Sequence, residues 1–176
     1  MRQEVVLVPC LVIGDSIAVG VGQYLPECQT EARVGITSQQ FVQDLLSPQE
    51  AGRVVISLGV NDGPSASTIA NLRRVRESVR GASVYWLLPA NHAYARAAIH
   101  SVAAEFGDRL IDCAPQAGPD GLHPTGAGYR ALAKLIDMQA VPIQQRVMAA
   151  AVESRRFRRP GRRRRRGCGE RTRPAA

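Results

Sequence analysis

Apolar strand-like runs alternating with amphipathic helical segments predict an α/β fold, a doubly wound sandwich whose parallel sheet is covered by helices on both faces. Three observations carry this reading. Arg53 to Leu58 (RVVISL) is β-branched and apolar between Gly52 and Gly59, as suits a buried strand. Ser67 to Arg80 places Ile69, Leu72, Val75 and Val79 at helical spacing, with Arg73, Arg74, Arg76 and Arg80 on its other faces. The 176 residues are 45% apolar, which suits one domain with its own core.

The remaining elements follow in order. Cys10 to Ile13 is a short apolar run ending in Gly14, and Pro9 suggests that regular pairing starts after it. Ile17 to Tyr24 suits a short helix, and Glu31 to Val34 a second strand leading to Gly35. Ser38 is placed to cap a helix from Gln39 to Leu46, which Pro48 stops. After the strand at 53–58 and the helix at 67–80, Ser83 to Leu88 (SVYWLL) reads as a fourth strand ending at Pro89. Tyr94 to Phe106 is a helix closed by Gly107, Leu110 to Cys113 a fifth strand, and Thr125 to Met138 a last helix.

The net charge of +8 is unevenly spread. Residues 1–152 hold 12 basic against 13 acidic side chains, and residues 153–176 hold 11 against 2. The chain therefore divides into a near-neutral domain, 1–152, and an arginine-rich tail, 153–176, which has too little apolar surface to fold and is expected to be disordered. Cys10, Cys28, Cys113 and Cys168 show neither C-x-x-C spacing nor company with histidine, so a zinc site is not indicated and buried free thiols are expected. No apolar run approaches the roughly 18 residues of a membrane span. Val5 to Ile13 resembles a short leader core, but no small-residue cleavage site follows it before Gly14. A cytoplasmic or otherwise leaderless protein is the expectation.

In open α/β sheets, ligands bind beyond the carboxyl ends of the strands. Four turns belong there: Gly14-Asp15-Ser16, Gly35, Gly59-Val60-Asn61-Asp62, and Asp120-Gly121-Leu122-His123. Ser16, between a buried strand and a helix, can project its hydroxyl and its own N–H into the same space. The plainer role for it is a helix cap. His123, three residues after Asp120, could take a serine proton while the carboxylate orients the ring. D-x-x-H by itself usually means only a surface turn. Asn61 offers an amide donor and Gly35 an unshielded N–H for a developing oxyanion, though each is also an ordinary turn residue. Gly20 and Gly22 lack the rest of a nucleotide-binding motif. His92 and His100 have no carboxylate partner in a motif, and Asp15 and Asp62 suit turn-stabilising roles.

Taken together, GDS at 14–16, the glycine at 35, GVND at 59–62 and DGLHPTGAGY at 120–129 resemble, in order, the conserved blocks of the SGNH (GDSL-type) hydrolases. The resemblance spans residues 10 to about 138, with Ile17 in place of the leucine of the family's nickname. It implies a flavodoxin-like three-layer α/β/α sandwich with a parallel five-stranded sheet, and ester hydrolysis without metal or cofactor. It further implies a triad of Ser16, Asp120 and His123 and an oxyanion hole from Ser16, Gly35 and Asn61. Relatives of this kind act on carbohydrate, peptidoglycan, lysophospholipid and thioester substrates. Short turns and the lack of an obvious lid favour a small acyl group, acetyl first, on a carbohydrate or similar small-molecule carrier. The competing expectation is a polyanion- or nucleic-acid-binding protein, its arginine tail making phosphate contacts and its body an inactive scaffold.

Overall fold

The structure is a computed structural model that describes residues 8–65 and 67–138. Met1–Ala140 forms one compact unit, and Val141–Ala176 falls outside the described residues. The expected domain end at 152, the tail at 153–176 and Cys168 therefore lie beyond them.

Among the described residues five strands and five helices alternate: β1 (Val8–Gly14), α1 (Ser16–Gly22), β2 (Gln29–Ala32), α2 (Ser38–Asp44), β3 (Gln49–Ser57), α3 (Ser67–Ser78), β4 (Val79–Leu88), α4 (Ala93–Phe106), β5 (Arg109–Asp112) and α5 (Gly126–Met138). A 3₁₀ turn, Ala114–Gln116, follows β5. The sheet has the order β2-β1-β3-β4-β5, and every pairing is parallel. This is the expected three-layer α/β sandwich with flavodoxin-like strand order.

Alternation along the strands builds two cores, one on each face of the sheet. Leu11 and Ile13 of β1, Val54 and Ile56 of β3, and Trp86 and Leu88 of β4 pack with Phe41, Leu72, Val75, Ile99 and Val102 from α2, α3 and α4. Val12, Val55, Tyr85 and Leu87 face the other way, onto Ile17 and Val21 of α1 and Leu132 and Ile136 of α5. Strand order reverses at β1, because β2 and β3 lie on opposite sides of it. The crevice expected of such a sheet therefore opens at the carboxyl end of β1.

Several boundaries depart from the sequence expectation. β1 starts at Val8 and keeps Pro9 within it, since Val8 already pairs with Ala51. β2 ends at Ala32 rather than Val34: Ile36 N–H bonds Arg33 carbonyl at 3.3 Å, closing a turn that leaves Val34 70% exposed. α3 stops at Ser78, and Val79 and Arg80 enter β4, pairing with Gln49 and Glu50 of a β3 that begins four residues early. Those polar residues carry no strand signature; the parallel ladder alone makes them one. Ser38 is not the cap of α2. Thr37 caps it, in a reciprocal box with Gln40.

The cysteine expectation also needs correction. Cys10 and Cys28 form a disulfide joining β1 to the loop before β2, while Cys113 is a buried free thiol as expected. Spacing could not reveal this pair, because the two lie 18 positions apart and meet only after the end of β1, α1 and a turn have folded back. Beside the bridge, Arg53 reaches Glu27 and Asp137 at 2.7 Å each, and its side chain is only 11% exposed. No helix among the described residues is long and apolar enough to cross a membrane.

Peptide mapping of the denatured chain, alkylated without reductant, is expected to recover the Cys10 and Cys28 peptides linked and Cys113 alkylated. Alkylation of all three would mean that the bridge does not form.

Candidate active site

β1 delivers the first group directly. Gly14 takes φ +133°, and a Cβ there would lie 1.7 Å from the carbonyl oxygen of Ser57, so only glycine permits this approach. Asp15 N–H then bonds that carbonyl at 2.8 Å. The Asp15 carboxylate, 1% exposed, caps α1 by accepting from Ile17 N–H at 3.0 Å, and it takes the Ser57 hydroxyl at 2.9 Å. Ser16 is thus the first residue of α1 rather than its cap, and its hydroxyl is free for other partners.

The loop ahead of α5 brings the second group. An antiparallel bridge between Ala117 and Pro124 and a 2.7 Å bond from Gly118 N–H to His123 carbonyl tie its two limbs together. Within it, Asp120 Oδ1 accepts the N–H groups of Leu122 and His123, both at 2.9 Å. The other oxygen, Oδ2, lies 2.7 Å from His123 Nδ1, and His123 Nε2 lies 2.8 Å from Ser16 Oγ. With the proton on Nδ1 directed at Asp120, Nε2 is left as acceptor for the serine hydroxyl. Thr125 then opens α5, its hydroxyl accepting Gly128 N–H at 3.0 Å.

The two neighbours of β1 supply flanking donors. Asn61 sits on the turn leaving β3, and its amide gives one hydrogen to Ile36 carbonyl at 3.0 Å, which leaves the other available. Gly35 sits on the turn leaving β2, with φ +75° and open space where a side chain would be. Its glycine is accounted for by backbone conformation whether or not its N–H meets a ligand. Asp62 stitches these turns together: its carboxylate accepts Ser38 N–H at 2.6 Å and the Ser38 hydroxyl. Asn71 adds a 3.2 Å bond to that hydroxyl.

By sequence, no family model and no curated protein matches the chain. Solved structures do. The C-terminal catalytic domain of Streptococcus pneumoniae peptidoglycan O-acetyltransferase A, solved with a methylsulfonyl adduct, superposes with a TM-score of 0.53 at 20% identity, over 75% of this chain and 92% of that one. A two-domain esterase active on acetylated mannans gives 0.52 at 20% identity, over 75% of this chain and 47% of its own. The chain shares the fold of these two structures.

On this scaffold two carboxyls diverge. Backbone N–H from Leu122, then the imidazole and N–H of His123, hold exposed Asp120 down at about 2, so it is an anion throughout the neutral range. Burial pushes Asp15 up to about 6 against the opposing bonds from Ser57, Ile17 and Ala18, and its Oδ2 has no hydrogen-bond partner among the described residues. Cys113 is no rival nucleophile, since burial and neighbouring Asp112 and Asp15 push its thiol up to about 12. The one three-residue group among the described residues with metal-ligand spacing, Cys10, Glu27 and Cys28, has its sulfurs bonded to each other and the Arg53 guanidinium against it, a poor place for a cation.

The two acids act oppositely on stability. Asp120, held down, stabilises the fold above its ordinary value near 3.8 and loses that contribution as pH falls towards 2. Asp15, held up, binds its proton more tightly in the folded chain, so its contribution is complete below 3.8 and is lost as pH rises through about 6. Denaturant unfolding between pH 4 and pH 7 is expected to show a fall on the order of 3 kcal/mol from this source. Asp15→Asn should flatten it; an unchanged profile in that variant would place the titration elsewhere.

Proposed function

We propose that the chain is a serine esterase that hydrolyses a small acyl ester through an acyl-enzyme. The observation that carries this is the continuous hydrogen-bonded line from Asp120 through His123 to Ser16 Oγ, at 2.7 and 2.8 Å. Ser16 attacks the ester carbonyl as His123 Nε2 takes its proton, and the alcohol leaves with that proton. Water, deprotonated by the same nitrogen, then attacks the acyl carbon and releases the acid with Ser16 restored. Asp120 holds the ring in the tautomer this requires and offsets the charge of the imidazolium. The oxyanion that forms at each addition would be met by Ser16 N–H, Gly35 N–H and the Asn61 amide.

Two features support a small acyl group, acetyl above all, on a carbohydrate or similar carrier. Ser16 and His123 are only partly buried, which suits a bulky carrier kept outside the fold. Both structures compared above are named for acetyl chemistry on polysaccharides. The first is an acetyltransferase, which favours a second reading in which the acyl-enzyme passes its acetyl to a sugar hydroxyl instead of water. The Cys10–Cys28 bridge further supports work in an oxidising compartment over the cytoplasm, where such bridges are rare.

With an acetyl ester of a chromogenic alcohol, Ser16→Ala is expected to abolish turnover without loss of fold, and His123→Ala should add nothing further to it. Asn61→Ala is expected to lower kcat by roughly 10²- to 10³-fold at nearly constant KM. Residual turnover in Ser16→Ala would move the nucleophile elsewhere, and a KM effect alone would make Asn61 a substrate contact. Adding an oligosaccharide acceptor separates the two readings: acetylated sugar in excess over free acetate would mean transfer.

A further inference from the structure

Within the nine-residue β3–α3 connection, 58–66, Asn61 sits in the stretch from Gly59 to Gly63, and both of these glycines hold positive φ, +107° and +65°. A segment with two such glycines is soft unless something outside it holds its shape. That support comes from another element. Tyr94, in the first turn of α4, donates its hydroxyl to Val60 carbonyl at 2.9 Å and accepts Gly63 N–H at 2.9 Å. One oxygen thus bridges the residue before Asn61 and the second residue after it, using its single hydrogen and one lone pair. The tyrosine is itself held, being half-buried on a helix, with its ring edge-on to His92 at 6.0 Å between centroids.

Resting on the esterase reading above, we propose that Tyr94 is a positioning residue for the oxyanion donor. It fixes the backbone around Asn61 so that the amide hydrogen not given to Ile36 stays aimed where charge develops. A donor placed before the reaction stabilises the transition state without reorganising, and one free to wander does not. Asp62 and Ser38 anchor the same turn from the α2 side, so Tyr94 restrains the side those bonds leave open. Tyr94 touches no reacting atom. Its effect runs entirely through Asn61.

The test is a double-mutant cycle on the full chain with a chromogenic acetyl ester, using wild type, Tyr94→Phe, Asn61→Ala and the double variant, each also followed by thermal unfolding. Phenylalanine keeps the ring and removes both hydrogen bonds. Tyr94→Phe is expected to lower kcat by about 10- to 10²-fold at constant KM, and to change kcat less than about twofold once Asn61 is alanine. A lowered melting temperature with kcat unchanged would reduce Tyr94 to a structural role and overturn the proposal. Equal loss in both backgrounds would overturn it too, by routing the effect around Asn61. An inactive wild type would sink the esterase reading and this role together, whereas an active wild type with an active Tyr94→Phe sinks this role alone.

Discussion

At the end of β1 the backbone runs so close to the carbonyl of Ser57 that no residue with a side chain fits at Gly14. This approach lets Asp15 N–H bond Ser57 carbonyl, and it puts the Asp15 carboxylate within reach of the Ser57 hydroxyl and of the first turn of α1. The two central strands are thereby locked together at the point where strand order reverses. Ser16 follows immediately. Its position is a property of paired backbone in the middle of the sheet, not of a surface loop. Everything else at this edge is brought to it: the 117–125 loop carries His123 across from the α5 side, and the turns after β2 and β3 close in from the two neighbours of β1.

The cost of this arrangement is visible in Asp15. A carboxyl buried beneath the proposed nucleophile, with one oxygen unpartnered among the described residues, is held up at about 6 and is an electrostatic burden once it ionises. Asp120 has the opposite surroundings, exposed and supplied with two backbone N–H bonds, and so stays charged beside His123. Environment therefore separates two aspartates at the same site, one to secure the strand junction and helix start, the other to orient an imidazole. Sequence spacing alone had suggested turn roles for Asp15 and Asp62. The amides they bond instead lie at the starts of helices, Ile17 of α1 and Ser38 of α2, and each also bonds a serine hydroxyl on a different element, Ser57 and Ser38, links that hold the turns in register.

The architecture was readable from residues because its strongest signals are local. Val54, Val55 and Ile56 are buried on both faces of the sheet, and the periodicity of Leu72 and Val75 on α3 follows from a single buried stripe. Ser16, Asp120 and His123 stood out for a different reason, each standing at a glycine-marked turn after a strand or before a helix, and the structure brings their side chains together. What the residues could not disclose is set by partners distant in sequence. Gln49 and Glu50 are strand residues only because Val79 and Arg80 lie beside them, and Cys10 meets Cys28 only after α1 has folded back. Tyr94 reads as an ordinary helical aromatic, since nothing in its neighbourhood announces that its hydroxyl bridges a turn more than 30 residues earlier.

The central claim is that Ser16 Oγ, activated by His123, is the nucleophile. It is tested most directly by intact-mass and peptide mass spectrometry after brief exposure to a small sulfonyl fluoride, which sulfonylates an activated serine with loss of fluoride. The expected result is one adduct per chain, located on the peptide containing Ser16 and lost in His123→Ala, while the folded content of that variant is unchanged. An adduct on another residue, or equal labelling of Ser16 with and without His123, would contradict it.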